Sequence, residues 1–348
     1  MNLKGKNILL LCPNFYIYRN IIVEQLEQKG AHIIFYENKM LPEDWRCSTT
    51  PVISCVKYLL NPNSKKNYIN NILDSIKNID IDILFCINGF CVTKDLINIL
   101  KQRNCKLVTT LFLWDSLTYW KYSNILEWFD YKFSFDHHDC KAYKNKGLKY
   151  YPDFFINSEP LKEMKYDVVH IGSISIFSID RIKILSEIYK ECNEKGLNSY
   201  IKIVTKLPKR LKEHNIKTII LFIFNRRYRK LFYYLHKYRK DPIFLDKPLD
   251  LKTVNEIESS SKIIIDIPPT KQNGATIRSL EAINRGQKLL TTNKSILLDK
   301  FYSPNNIGII DKNKKNKIDC NFIDKETDKF DINYLYISNW LDYILCKE

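Results

Sequence analysis

Apolar residues in this chain fall into short runs, separated by stretches in which they recur every three to four positions. Runs over residues 7–12, 32–36, 83–87, 107–113 and 131–135 predict buried strands. Helical spacing fills the gaps, over residues 18–29, 66–78, 93–102 and 121–129. Strands alternating with helices of this length predict βαβ units, with a parallel sheet covered on both faces. Thr93-Lys94-Asp95 sets an N-cap hydroxyl and an early acid at the start of one of these helices. The polar, proline-marked Asn157-Ser158-Glu159-Pro160 reads as a linker. A second series follows, with strands over 168–171, 200–204, 243–245, 262–267, 288–292 and 307–310 and helices over 181–195, 253–260 and 276–285. The tail, 331–345, is amphipathic, and its aromatic side is expected to pack. The expectation is an α/β protein of two tandem Rossmann-like, doubly wound domains, 1–157 and 165–330, with a C-terminal helix in 331–348.

Composition narrows the classes. A length of 348 residues suffices for two cores, and 45% hydrophobic with 27% charged residues excludes a disordered chain. No run of about 18 uncharged apolar residues is present, so no spanning helix is expected. Residues 1–13 have a basic start and a short apolar run, which fits a first strand better than a signal peptide. Ten cysteines with no CxxC or CxxH pair read as reduced core thiols of a cytosolic protein and argue against structural zinc. The net charge of +16 attracts phosphate-bearing partners, although a Lys-rich composition alone spreads such charge. The charge is uneven, however. Residues 206–240 hold Arg226-Arg227-Tyr228-Arg229-Lys230 and Lys237-Tyr238-Arg239-Lys240 among apolar and aromatic residues. That mixture suits an anionic membrane surface. Nucleic acid gives the same signature, and a solvated helix face is the plain alternative.

Ligands of open parallel sheets bind outside the carboxyl ends of the strands. That rule selects Pro13-Asn14-Phe15, Asn88-Gly89-Phe90, Trp114-Asp115-Ser116, Gly172-Ser173, Lys206 and residues 268–274. Asp115, at a strand end beside an aromatic residue, is a candidate general base or an N-cap. Gly172 permits close backbone approach and Ser173 can donate to an oxygen. Lys206 and Lys247 each follow a strand and can meet a phosphate. Asn273-Gly274-Ala275-Thr276-Ile277-Arg278-Ser279-Leu280-Glu281 reads as a glycine turn opening a helix, with Arg278 and Glu281 on one face. The cluster Phe135-Asp136-His137-His138-Asp139 reads as helix capping with hinge or acceptor contacts rather than as a metal site. No GxGxxG, Walker A, nucleophile elbow, Ser-His-Asp order or zincin motif occurs.

With its Arg278-x-x-Glu281 helix in the second of two α/β domains, the chain resembles GT-B fold glycosyltransferases. More narrowly, residues 115–155 and 273–311 look like bacterial glycosyltransferases of capsule and lipopolysaccharide assembly. The first segment carries Trp128-Phe129-Asp130-Tyr131-Lys132-Phe133-Ser134-Phe135-Asp136 and the second carries Lys288-Leu289-Leu290-Thr291-Thr292-Asn293. The resemblance implies two domains facing a cleft, a nucleotide-sugar donor in the C-terminal one and an acceptor in the N-terminal one. It implies no metal and no cofactor. By the same resemblance Glu281 holds the ribose, and Arg278 with the Gly274–Thr276 turn holds the diphosphate. Gly172, Ser173, Lys206 and Lys247 add donor contacts, Asp115 deprotonates the acceptor, and Asn14 and Asn88 hydrogen-bond acceptor sugar. The 206–240 segment would hold the enzyme at the inner face of the cytoplasmic membrane, where a lipid-linked glycan is found. The expected protein is thus a cytoplasmic, membrane-peripheral, metal-independent glycosyltransferase of surface polysaccharide synthesis, with no nucleic-acid partner. A nucleic-acid-binding protein using 206–240 and a GT-B-like sugar-nucleotide epimerase are the alternatives.

Overall fold

The computed structural model of the chain describes residues 2–15, 17–47, 51–118, 120, 122–156, 159–205, 222–223, 225–314 and 317–346. The chain divides into two compact units. One comprises Met1–Phe154, Lys271–Gly274 and Asn333–Glu348, and the other Phe155–Thr270 and Ala275–Ile332.

The first unit holds strands β1 (Asn7–Cys12), β2 (His32–Glu37), β3 (Ile83–Ile87), β4 (Val108–Leu113), β5 (Tyr131–Ser134) and β6 (Lys149–Tyr150). They form one parallel sheet in the order β2-β1-β3-β4-β5-β6. The inner strands read as unbroken apolar runs because both faces are covered, and all five residues of β3 are buried. Around the sheet run α1 (Tyr18–Gln28), α2 (Pro51–Leu60), α3 (Ser64–Ser75), α4 (Lys94–Arg103) and the short α5 (His137–Ala142). The Thr93 hydroxyl caps α4 by accepting from the Leu96 N–H at 3.1 Å, and Lys101 and Arg103 occupy its last turn. The helix expected over 121–129 is instead a 3₁₀ segment, Ser123–Trp128, whose Ile125 and Leu126 are buried. The tighter 3₁₀ turn is a usual short connector between elements.

The second unit holds β7 (Tyr166–Ile174), β8 (Ser199–Thr205), β9 (Phe244–Leu245), β10 (Ser261–Asp266), β11 (Lys288–Thr291) and β12 (Ile307–Ile309). Their order is β12-β11-β10-β7-β8-β9, again all parallel. The helices are α6 (Asp180–Glu194), α7 (Arg226–Lys237), α8 (Leu251–Ser259), α9 (Ile277–Asn284) and α10 (Cys320–Asp324). Ile182, Leu185 and Ile188 of α6 share a core with Ile201, Ile203, Ile263 and Ile265 of the sheet. The last helix, α11 (Ile337–Leu345), belongs to the first unit. Its Trp340 is fully buried, 4.7 Å from Phe112 and 5.0 Å from Phe154 between ring centroids, and donates its indole N–H to the Pro152 carbonyl at 3.0 Å. The aromatic side of the tail therefore packs through Trp340, while Tyr343 stays half exposed as it stacks on Tyr151.

The strand order reverses between β1 and β3 in one sheet and between β7 and β10 in the other. Those reversals, at the carboxyl ends of the strands, are where open sheets bind ligands.

Candidate active site

Trp114-Asp115-Ser116 leaves the carboxyl end of β4 in the first unit. Asp115 accepts from the Asn88 side-chain amide at 2.7 Å and from the Gln272 amide at 2.6 Å, one bond to each oxygen. The Asn88 carbonyl oxygen in turn accepts the backbone N–H groups of Trp114 at 2.8 Å and Asp115 at 3.1 Å. Among the described residues, the two non-glycine residues with positive φ are Asn88 at 66° and Lys271 at 76°. The first supplies one amide to Asp115 and the second directly precedes the other. Such backbone costs about 1–3 kcal/mol per residue and clusters at functional sites. Burial raises the Asp115 carboxyl above the usual carboxylate range, against the opposing pull of hydrogen bonds from Gln272, Asn88 and Trp120. Each carboxylate oxygen has two lone pairs, so a site for a substrate proton remains.

A second carboxylate stands behind the first. The Trp114 indole N–H donates to Asp153 at 2.7 Å, and the Phe154 N–H donates to the same oxygen at 3.1 Å. Burial pushes Asp153 up to about 7, with the Asp115 charge adding to the rise. Sequence reasoning missed Asp153, and it covered Gln272 only as part of the strand-end segment 268–274 without singling it out. The strand-end rule that selected Asp115 also selects Asp153, which follows β6 after Pro152. No local signal marks Gln272. Asn14 is exposed, next to Phe15, which is 52% exposed and lies 6.4 Å from Trp114 and 6.1 Å from Tyr18. Asn88 is buried beneath that rim, with its amide used to hold the Asp115 loop.

Asp136 is the N-cap of α5. It accepts from the His138 N–H at 2.8 Å, from the Ser116 hydroxyl and from the Asn273 amide at 3.1 Å. His137 stacks on Tyr150 with centroids 3.5 Å apart. Among the described residues no group of three or more His, Cys, Asp or Glu is placed to hold a metal ion. Burial pushes Asp139 up to about 7. The Leu117 N–H at 2.5 Å opposes that rise and the Asp136 charge adds to it. Gly274 meets a steric demand, since a Cβ there would lie 2.0 Å from a Phe135 ring carbon and 2.4 Å from the Phe135 carbonyl oxygen.

In the second unit, β7 runs beyond the predicted strand end, so Gly172 and Ser173 are its last residues but one. The buried His170 donates from Nδ1 to the Ile265 carbonyl at 2.8 Å. Burial, followed by the Arg278 and Arg181 charges, pushes this imidazole well below its usual range, so it is neutral. Its Nε2 has no hydrogen-bond partner and lies 3.0 Å from the position of a Cβ on residue 172. Arg181 donates to the Ser173 carbonyl at 2.6 Å and to the Ile267 carbonyl at 2.9 Å. Arg278 reaches Glu258 at 3.1 Å, Asp266 at 3.5 Å and the Ile171 carbonyl, tying α9 to α8, β10 and β7. Its guanidinium therefore lies between two buried carboxylates. Thr276 caps α9 by accepting from the Ser279 N–H at 3.2 Å and donates to Asp266 at 2.9 Å. Glu281 is buried and stands 3.9 Å from Arg285. Lys247 is exposed beyond the end of β9, and Lys206 lies outside the described residues. The structure thus gathers Gly172, Ser173, Thr276 and Arg278 at the β7/β10 reversal and leaves Lys247 apart. His170, Arg181, Glu258 and Asp266 were not legible, because their partners lie far along the chain.

No protein-family model matches this chain, and no curated protein matches it. Solved structures do. The ligand-free structure of OtsA has a TM-score of 0.56 at 10% identity, covering 99% of this chain and 92% of that one. The N-terminal domain of trehalose-6-phosphate phosphatase of Candida albicans has a TM-score of 0.53 at 11% identity, covering 99% and 97%. An α,α-trehalose-phosphate synthase (UDP-forming) of Burkholderia vietnamiensis has a TM-score of 0.50 at 9% identity, covering 83% of each chain. At such identities the likeness is one of fold: two Rossmann-like α/β units in tandem, the GT-B fold.

Proposed function

We propose that this protein is a metal-independent glycosyltransferase that moves a sugar from a nucleotide-sugar donor to a glycan acceptor. The observation that carries the proposal is the setting of Asp115: a carboxyl raised by burial and held by two amides that strained backbone delivers. Raised carboxyls in such settings suit general bases working near neutral pH. In the reaction, the bond between the sugar anomeric carbon and the diphosphate oxygen breaks, and its electron pair leaves with the nucleoside diphosphate. The acceptor oxygen bonds to that carbon, and its proton passes to Asp115. The rim of Phe15, Asn14 and Trp114 offers aromatic faces and an amide to the acceptor.

The donor belongs to the second unit, at the β7/β10 reversal. Gly172, Ser173 and Thr276 line its approach, Glu281 takes the ribose hydroxyls, and Lys206 adds charge to the phosphates. Arg278 acts there by fixing the Gly172 strand through the Ile171 carbonyl, its charge being taken up by Glu258 and Asp266. The fold likeness to a UDP-forming trehalose-phosphate synthase supports a donor of this class. The acceptor is a lipid-linked glycan of surface polysaccharide synthesis, met at the cytoplasmic face of an anionic membrane. What supports that placement is α7, which exposes Arg226, Arg227, Arg229, Lys230 and Lys237 around Tyr233.

The test is a thermal-shift panel of nucleotides and nucleotide sugars. A donor at a hundred times its Kd stabilises the native state by about 2.7 kcal/mol. Glu281→Ala should abolish the shift and Asp115→Asn should preserve it. A wild type that no nucleotide sugar stabilises overturns the reading.

A further inference from the structure

The two most exposed large apolar side chains among the described residues are adjacent: Leu59, at 72%, and Leu60, at 81%. They end α2, at the corner where the chain turns into α3. Leucines exposed singly need no partner, whereas a contiguous apolar tip points to one. The corner is held in place. The Asn61 N–H donates to the Lys57 and Tyr58 carbonyls at 3.0 and 3.1 Å, and the Ser64 hydroxyl donates to the Asn61 carbonyl at 2.7 Å. Lys65 ties the start of α3 to the 3₁₀ segment Pro42–Cys47, through its N–H on Glu43 at 2.6 Å and its ammonium on Asp44 at 2.8 Å. Lys57 and Lys66, before and after the leucines, are exposed and make no ion pair among the described residues.

Apolar side chains between two ammonium groups define the partner's chemistry. A second copy would set these lysines against their own counterparts, in a chain that carries +16 overall. A folded protein partner needs about 800 Å² from each side and aromatic or arginine anchors, and two leucines supply neither. A bilayer needs no matching shape, because it takes leucine at the acyl boundary and lysine at an anionic surface. We propose that the α2–α3 corner is a membrane-inserting tip, in which Leu59 and Leu60 enter the acyl boundary of an anionic leaflet and Lys57 and Lys66 stay among the headgroups. The tip belongs to the first unit, whereas the basic α7 belongs to the second. Two side chains are too few to hold the protein on neutral lipid, so the tip adds to electrostatic attraction and does not replace it. It rests on the glycosyl-transfer reading in one respect, that the acceptor it brings within reach lies in the bilayer.

Sedimentation with phosphatidylcholine vesicles containing phosphatidylserine tests the tip. Leu59→Gln/Leu60→Gln, altered at exposed positions, should keep the melting curve and lose at least about tenfold in affinity for these vesicles. Leu59→Met/Leu60→Met, still apolar, should bind as the wild type does. Leu60→Trp adds a reporter, and brominated acyl chains should quench it beyond the quenching of the five native tryptophans. Equal vesicle binding by the glutamine variant, or no added quenching in Leu60→Trp, overturns the tip. So does a wild type that sediments with no anionic vesicle. A dimer in sedimentation equilibrium that the glutamine variant disperses assigns the corner to self-association and overturns the tip as well. Vesicle insertion without stabilisation by any nucleotide sugar would keep the tip and remove the enzymatic reading. Stabilisation by a nucleotide sugar, with the glutamine variant bound to vesicles as tightly as the wild type, would do the reverse.

Discussion

Asn88 combines a backbone task with a side-chain task, and substitution can separate the two. Glycine at this position keeps the positive φ without strain but removes the three hydrogen bonds that hold the Asp115 loop. Asn88→Gly should therefore lower kcat/KM at least tenfold, at a stability cost of about 1–3 kcal/mol. Asn88→Ala should cost roughly a further 1 kcal/mol from the left-handed backbone alone. Denaturant melts of the two variants measure the difference, and equal stabilities would refute the strain. Asp115→Asn should reduce transfer by about 10²–10⁴-fold, the usual worth of a general base, with the fold intact. The buried carboxyls predict a pH profile for stability. Asp139 and Asp153, pushed up to about 7 in the folded state, hold protons that the unfolded chain releases near pH 4. Between those values these two groups bind more protons in the native state, so their contribution to stability is fully present below about pH 4 and is lost as pH rises towards 7. Asp153→Asn, which can still accept from Trp114, should flatten part of that fall in urea melts at pH 5 and pH 8. An unchanged slope would mean that Asp153 is already ionised.

At the scale of elements, the parallel strands were legible because burial on both faces leaves continuous apolar runs, and β1 and β3 have the predicted bounds. The helix over 276–285 was legible through its chemistry. Thr276 caps it and Gly286, at φ 72°, follows it. The helices α2, α5, α7 and α10 were not among those predicted. In α2 the sequence Pro-Val-Ile-Ser-Cys-Val-Lys-Tyr-Leu-Leu shows no clear polar face, and α5 is too short for a period to appear. The candidate site was legible as a set of strand ends but not as a set of contacts. The sequence places Arg278 and Glu281 on one helix, yet Glu258 and Asp266, which hold Arg278, come from α8 and β10. Gly274 was read as a turn for an anion, and the structure adds a steric demand for glycine there, from Phe135. Gly274→Ala should therefore destabilise the first unit by several kcal/mol, as overpacking against backbone does. Phe135→Ala should rescue it only in part, because the clash with the carbonyl oxygen persists. A silent Gly274→Ala would show that the segment can shift.

At the scale of the whole molecule, the charge of +16 makes any membrane contact sensitive to salt. Each basic residue near an anionic surface contributes about 1 kcal/mol. Replacing the exposed Arg226, Lys237 and Lys240 with glutamine should weaken sedimentation with phosphatidylserine vesicles by about two orders of magnitude, and neutral vesicles should bind neither form. Binding indifferent to salt would exclude this mode. No helix among the described residues is long and apolar enough to cross a membrane. The composition of the first unit has a consequence for the order of events during synthesis. Its sheet is complete by Tyr150, yet the space between Phe112 and Phe154 is filled by Trp340 of α11, and Asp115 receives one of its amides from Gln272. The first unit therefore waits, with an open core, for a helix that is translated only after the whole second unit. A nascent chain stalled before α11 should present that cavity to chaperones, and a fragment ending at residue 154 should behave as a folding intermediate rather than as a domain.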